Sequence, residues 1–256
     1  MFIDTHCHLC DERFEKTEVV EKNYLTEGVE YAINVGYDLQ SSIKVSEQAE
    51  RLKSTYFMVG IHPDSANQLT TKSLDFLAEL SKHERCVGIG EIGLDYHYDG
   101  YDKEAQKKAF ISQMELAKCL GLPISIHRRD CTGDMISLLK ENKGLLSNGG
   151  IMHCFSGSVE TSREVLNLGL NISFAGTITF KNANGLLDVV KYVPSEYMLS
   201  ETDSPYLTPS PYRGQLNEPK MVKYVVEKIS ELKNLELEET AKIIKENARR
   251  VFKKIK

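Results

Sequence analysis

The segment Phe2-Ile-Asp-Thr-His-Cys-His8 carries two imidazoles one residue apart, close behind the carboxylate of Asp4. Side chains alternate along a strand, so His6 and His8 share one face and Cys7 takes the other. Two neutral ring nitrogens on one face can chelate a divalent cation. An isolated His-x-His is equally compatible with an exposed edge strand, so partners elsewhere decide between the two. Pro123-Ile-Ser-Ile-His127 and Gly150-Ile-Met-His153 are apolar runs that end in histidine, with Cys154 expected to face away from the ligands as Cys7 does. A lone histidine in such a place is more often a core residue bonded to backbone; two of them, beside His6 and His8, favour a shared site. Gly88-Ile-Gly-Glu91 offers a carboxylate among small residues, read as the inward-facing end of a strand. Met198-Leu-Ser-Glu201-Thr-Asp203 puts two acids on one face. Together His6, His8, Glu91, His127, His153 and Asp203 suit a pair of divalent ions about 3.5–4 Å apart, with Glu91 bridging them.

The chemistry such a site implies is hydrolysis, because paired cations lower the pKa of water toward neutrality and supply a hydroxide. Asp203 is placed to orient that water and take its proton. Arg129 and Arg213 can hold phosphate oxygens and stabilise developing charge, the alternative for each being an ordinary surface salt bridge. Glu201 and Asp4 can orient a ligand from behind, or be buried, paired structural acids. Gly88-x-Gly90-x-x-Gly93 also matches the dinucleotide-binding string. That fingerprint requires a helix directly after the glycines, and Leu94-Asp-Tyr-His-Tyr-Asp-Gly-Tyr101 reads as a turn-like loop instead.

These residues must be brought together from distant positions, and the spacing of apolar runs shows how. Eight short runs recur: 2–5, 31–35, 56–61, 86–89, 123–126, 150–154, 170–174 and 197–200. Helical periodicity lies between them over 39–52, 74–80, 103–120, 133–140, 160–168 and 186–193. Strands alternating with helices predict a parallel sheet, and eight such units close into a (β/α)8 TIM barrel, which takes about 250 residues. The carboxyl ends of all barrel strands open on one mouth, where the candidate ligands fall. A proline-rich loop follows the eighth strand, then helical stretches at 219–232 and 237–254, the last an additional C-terminal helix. No linker or low-complexity tract divides residues 1–256, so a single domain is expected.

The chain has 256 residues, six cysteines and a formal charge of −5. The scattered cysteines read as reduced thiols; Cys7 and Cys10 have zinc-knuckle spacing, but no second pair answers them. The start lacks an apolar stretch behind a basic one, and no run approaches the roughly 18 residues of a membrane span. A soluble, cytoplasmic protein is expected. The acidic balance argues against a broad basic surface coating nucleic acid. It leaves room for a nuclease, since bound cations would supply local positive charge.

The ordered motifs resemble the TatD family of metal-dependent deoxyribonucleases, in the amidohydrolase superfamily. The likeness runs over nearly the whole chain: the opening segment, Gly60-Ile-His-Pro63, Gly90-Glu-Ile-Gly-Leu-Asp-Tyr96, Pro123-Ile-Ser-Ile-His-Arg-Arg-Asp130, His153-Cys-Phe-Ser-Gly157, Glu201-Thr-Asp-Ser-Pro205, Arg213-Gly214 and Asn217-Glu-Pro219. The resemblance implies that His6 and His8 hold one ion with Asp203, that His127 and His153 hold the other, and that Glu91 joins both. It gives His62 a contact to substrate or leaving group, with a hydrogen bond behind the ligands as the alternative. Two departures stand beside ligands: Cys10 where the family usually has Asn or Asp, and Cys131-Thr-Gly133 where a small residue and an acid are usual.

The function so implied is cleavage of phosphodiester bonds in DNA. Arg128, Arg129, Lys181 and Arg213 are the few cations available near the mouth, so a single-stranded end is the expected substrate rather than an extended duplex. The 3′ end comes from the resemblance alone, as 3′–5′ exonuclease action. The rival enzyme class attacks a carbonyl instead, in a cyclic amide, a lactone or an aminoacyl-tRNA ester. Many amidohydrolase barrels bridge their metals through a modified lysine; Glu91 in that place favours the nuclease. A non-catalytic binding scaffold would be expected to lack a ligand, and none is missing. Histidine-rich ligation admits zinc or manganese, and the bridging carboxylate also tolerates magnesium. No membrane association and no obligate protein partner are inferred.

Overall fold

The computed structural model describes all 256 residues, Met1–Lys256. Eight parallel strands stand side by side in chain order: β1 (Phe2–Cys7), β2 (Val29–Val35), β3 (Thr55–Val59), β4 (Cys86–Asp95), β5 (Ile124–Arg129), β6 (Gly150–Met152), β7 (Asn171–Phe174) and β8 (Met198–Ser200). The sheet curls until its edges meet. Asp203 N–H donates to His6 O at 2.9 Å, His8 N–H donates to Ser204 O at 2.7 Å, and Thr5 Oγ1 donates to Ser200 O at 3.0 Å. The result is the nearly closed (β/α)8 barrel that the spacing of apolar runs predicts.

The helices alternate with the strands: α1 (Thr17–Thr26), α2 (Leu39–Arg51), α3 (Thr71–Leu80), α4 (Lys103–Leu120), α5 (Thr132–Glu141), α6 (Val159–Asn167), α7 (Asn184–Tyr192) and α8 (Val222–Lys233). The C-terminal helix α9 (Leu237–Val251) is additional. Its Asn247 amide donates to Ser195 O and Met198 O, tying it to the start of β8. Local chemistry fixes the ends of several helices. Asp38 and Ser41 form a reciprocal capping box on α2, Thr70 and Ser73 do so on α3, and Asp102 caps α4. Gly121 ends α4 in the left-handed conformation that glycine adopts without steric cost.

The structure departs from the periodicity in three places. Helix α1 has no counterpart among the predicted helices, because it buries only Thr17, Val20 and Tyr24 and starts at Lys16 without a side-chain cap. β4 runs on past Ile89 to Asp95, so Glu91 lies within the strand rather than at its end. β6 stops at Met152, leaving His153 and Cys154 in the loop that follows. The strands and the helices from α2 onward contribute buried side chains to one apolar core; a smaller cluster of Cys7, Leu9, Phe14, Val20 and Tyr24 lies where α1 packs on the barrel.

Candidate metal centre

Two ligand-bearing strands carry an irregularity where their ligands sit. Along β1, Asp4 pairs with Ala32 and Cys7 with Asn34, three steps against two. Along β4, Ile89 pairs with Ile124 and Ile92 with Ile126, again three against two. Such bulges re-aim side chains locally. Room for the one in β4 comes from small neighbours: a Cβ on Gly90 would lie 2.6 Å from Ser125 Cβ, and one on Gly93 only 2.0 Å from His127 O. Small residues around Glu91 were expected to give its side chain space, and they do so by letting β4 and β5 approach.

Glu91 stands at the centre of the arrangement with its carboxylate almost fully buried. Its Oε1 lies 2.7 Å from both His127 Nδ1 and His153 Nε2, and 3.7 Å from His62 Nε2. Its Oε2 lies 3.5 Å from His6 Nε2 and 3.6 Å from His8 Nε2. Asp203 Oδ1 is 3.4 Å from His8 Nε2. One carboxylate oxygen therefore faces each histidine pair, with Asp203 beside the first. Two sets of donors able to hold one ion apiece follow: His6, His8 and Asp203, and Glu91, His127 and His153.

Each of the four imidazoles has its second nitrogen fixed by the protein. His8 Nδ1 lies 2.8 Å from Val35 O, His6 Nδ1 3.3 Å from Ser125 Oγ, His127 Nε2 2.9 Å from Asp95 Oδ2, and His153 Nδ1 3.3 Å from Glu201 Oε1. With those nitrogens donating to their partners, the inward nitrogens point at Glu91, each carrying either a proton shared with its carboxylate or a lone pair free for a cation. They also face one another, His6 Nε2 to His8 Nε2 at 3.3 Å and His153 Nε2 to His127 Nδ1 at 3.4 Å. Converging lone pairs repel unless a proton or cation lies between them, and the outer acceptors are those that orient metal-binding imidazoles elsewhere. The donor set fits divalent cations.

Electrostatics follow from burial and crowding. Burial pushes the Glu91 carboxyl up, but the charge of His153 and hydrogen bonds from His127, His153 and His6 hold it well below the usual range. For His8 and His153 burial again opposes charge; it is outweighed, respectively by the hydrogen bond to Asp203 and the charge of Glu91, and both rings are raised well above the ordinary value. His6 and His62 are instead lowered, chiefly by burial, His62 to about 3. Asp203 is held low because His8 overcomes its burial penalty.

Other residues singled out by sequence fall variously. Glu201 Oε1 accepts the Cys154 N–H at 2.6 Å as well as facing His153, while its Oε2 is buried without a partner. Glu201 and Asp203 lie beyond β8, Asp203 with a left-handed backbone, φ 54°. Asp4 accepts from the backbone of His6 and from Thr202, so it fixes the course of the chain at the site rather than a ring. His62 sits edge-on to His127, ring centroids 4.4 Å apart, and its Nδ1 accepts the Asp64 N–H. Arg129 stands over Tyr98, and Arg213 over Phe180 with a bond to Thr208 O. Neither guanidinium is paired with a carboxylate. Of the departures, Cys10 Sγ shares the Val35 carbonyl with His8, and Cys131 Sγ donates to Leu94 O.

Cys7 turns away from the ligands as expected, donating to Ile33 O within the cluster beneath α1. Cys154 does not. Its left-handed backbone, φ 42°, breaks the alternation, and its thiol is pushed well up by burial and then by the charges of Asp203, Glu201 and Glu91. The functional residue that sequence reasoning passed over is Asp95. Its signal was a carboxylate two pairs beyond Glu91, hidden because the loop was read as starting before it.

The comparisons agree with this geometry. A family model described as TatD related DNase matches residues 3–253. The chain is 46% identical over 255 residues to an uncharacterized metal-dependent hydrolase, YabD, of Bacillus subtilis, covering 99% of each. It is 35% identical to the like-described YcfH of Escherichia coli K12, covering 98% of this chain and 95% of the relative. The crystal structure of YjjV, a TatD homolog from E. coli, superposes with a TM-score of 0.93 at 30% identity over 98% of both chains. A TatD family hydrolase from Entamoeba histolytica gives 0.84 at 25% identity, covering 98% of this chain and 97% of that one. Fold, site and likeness define a metal-dependent hydrolase built on a TIM barrel. The chain belongs to the TatD family. No helix is long and apolar enough to cross a membrane.

Proposed function

We propose that this protein is a deoxyribonuclease that removes nucleotides from the 3′ end of single-stranded DNA, using water activated by two divalent cations. The observation that carries the reading is the division of labour at Glu91, with one oxygen toward His127 and His153 and the other toward His6 and His8. The description of the matching family as a DNase supports the substrate class. In this reading His6, His8 and Asp203 would hold one ion and His127 and His153 the other, with Glu91 shared; zinc, manganese and magnesium would all suit the donors. When bound, the ions supply the charge that acidifies water and neutralises phosphate oxygens.

The protein's own groups do the rest. Asp203, held low and so ionised at neutral pH, orients the attacking water and accepts its proton. His62, kept neutral by burial, presents a ring nitrogen toward the Glu91 side of the mouth for the substrate or leaving group. Glu201 keeps the His153 ring in place through Nδ1. Arg129 and Arg213 are the phosphate contacts in this reading, their guanidiniums resting over Tyr98 and Phe180. Residues 1–256 act as one domain, and six free thiols suit a reducing cytoplasm.

The test is to incubate metal-loaded protein with end-labelled linear and covalently closed single-stranded DNA, beside RNA, mischarged tRNA and simple esters. Loss of terminal nucleotides from the linear strand alone is expected. Cutting of the closed circle at a similar rate would make it an endonuclease, and turnover of the carbonyl substrates alone would move it to the rival class.

A further inference from the structure

A cavity of about 320 Å³ opens beside the metal centre, between the segment after β3 and the loop joining β4 to α4. Its volume falls at the small end of the range for ligand pockets. Asp95 joins the two sites physically, for it lines the cavity while its carboxylate grips His127. The opposite wall begins at Pro63 and Asp64, directly after His62. A group held there lies next to the His127 side of the candidate metal centre.

The lining defines what fits. Asp64, Asp95, Asp99 and Asp102 contribute carboxylates and no Lys or Arg is among the lining residues, so the cavity favours hydrogen-bond donors over a phosphate. Its two aromatic residues are tyrosines. Tyr101 is stacked on Tyr96 with ring centroids 4.6 Å apart, a fixed wall. Tyr98 is 62% exposed, and the Arg129 guanidinium lies 5.2 Å from its ring centroid. An exposed ring backed by a guanidinium is a stacking platform for a flat, electron-rich ring. Carboxylates around such a ring accept hydrogen bonds from exocyclic amino groups.

We propose that this cavity is the subsite for the nucleobase next to the scissile phosphate, stacked on Tyr98 and read by the surrounding carboxylates in favour of amino-bearing bases, cytosine and adenine, over thymine. The inference rests on the nuclease reading and adds a base preference to it. It also gives Arg129 a double duty, on the base through Tyr98 and on the phosphate through its guanidinium.

The probe is calorimetric binding of deoxycytidine, deoxyadenosine and thymidine 5′-monophosphates and of 2-deoxyribose 5-phosphate to manganese-loaded protein. The base-free sugar phosphate should bind about tenfold more weakly than dCMP, from lost stacking, and TMP about fivefold more weakly. Tyr98→Ala should bring dCMP and the sugar phosphate to within about twofold of each other, and Asp99→Ala should narrow the dCMP-to-TMP ratio. Equal affinities in the unsubstituted protein, or a Tyr98→Ala variant that weakens all four ligands alike, would overturn the subsite. Selective binding without any DNA hydrolysis would overturn the nuclease reading and leave the subsite standing; hydrolysis without selectivity would do the reverse.

Discussion

Replacing Asp95 with Asn tests whether the outer hydrogen bonds, and not only the inner ligands, set the affinity for metal. Asp95 is 3% exposed at its side chain; one oxygen accepts the His97 N–H at 2.9 Å and the other faces His127 Nε2 at 2.9 Å. Asparagine has the same shape but a single acceptor oxygen. If that oxygen serves His127, the amide NH2 meets the His97 N–H, donor against donor; if it serves His97, the NH2 meets the His127 N–H. One bond is lost in either orientation. A hydrogen bond to a charged group contributes about 1.5–3 kcal/mol when its partner would otherwise be left unsatisfied. Removing the outer partner of a ligand imidazole elsewhere costs about 10- to 100-fold in affinity, or about 1.4–2.7 kcal/mol. The two estimates agree, so Asp95→Asn should weaken one of two bound ions about 10- to 100-fold. Competition with a chelating dye would measure it, with thermal melting of the metal-free protein as a control. Affinity within about twofold of the original, or a metal-free melt that falls far enough to account for the loss, would refute the argument that Asp95 acts by holding the His127 tautomer.

Three further outcomes are expected. Glu91→Gln should keep the fold, seen by circular dichroism, yet lose paired metals and hydrolysis, because both histidine pairs face that charge; two ions per chain with near-normal activity would contradict it. Cys7→Ala should cost about 1 kcal/mol or more in denaturant unfolding with metal content intact, whereas Cys154→Ala, outside the apolar clusters, should cost less. Arg13 hydrogen-bonds Asp11 and holds its carboxyl down at about 2, so that pair stabilises the fold above the ordinary carboxylate range and ceases to as pH falls through about 2. In Arg13→Ala, NMR titration should find Asp11 raised toward its ordinary value, and the pair's share of the stability lost between the ordinary carboxylate range and about pH 2 should be absent.

The fold was legible because a parallel barrel writes its strands as apolar runs and places polar chemistry at their carboxyl ends. His127 and Glu91 illustrate this, each an ionisable residue behind aliphatic and small ones in the carboxyl-terminal half of its strand. What stayed hidden depends on backbone geometry that side-chain pattern does not record. The bulge in β4 carries the strand on to Asp95, so its role was invisible while the run was thought to stop at Ile89. The left-handed turn at Cys154 redirects a thiol that alternation sends outward. Helix α1 buries too little apolar surface to announce itself. Sequence position puts Arg129 and Arg213 at the mouth, but the rings that hold them, Tyr98 and Phe180, come from other loops that the linear pattern does not pair with them.

The seam where β8 meets β1 has a consequence for how the protein comes to life on the ribosome. Asp203 is bonded through its backbone to His6, and Thr202 to Asp4, across 198 positions of chain in the latter case. The histidine pair is thus among the first residues made, and its acidic companion arrives only after some four-fifths of synthesis. Until then the nascent chain exposes a half-built chelator and an unpaired strand edge, both prone to unwanted partners. The set of His6, His8 and Asp203 is therefore completed late, once β8 has met β1, whereas Glu91, His127 and His153 are all made by residue 153.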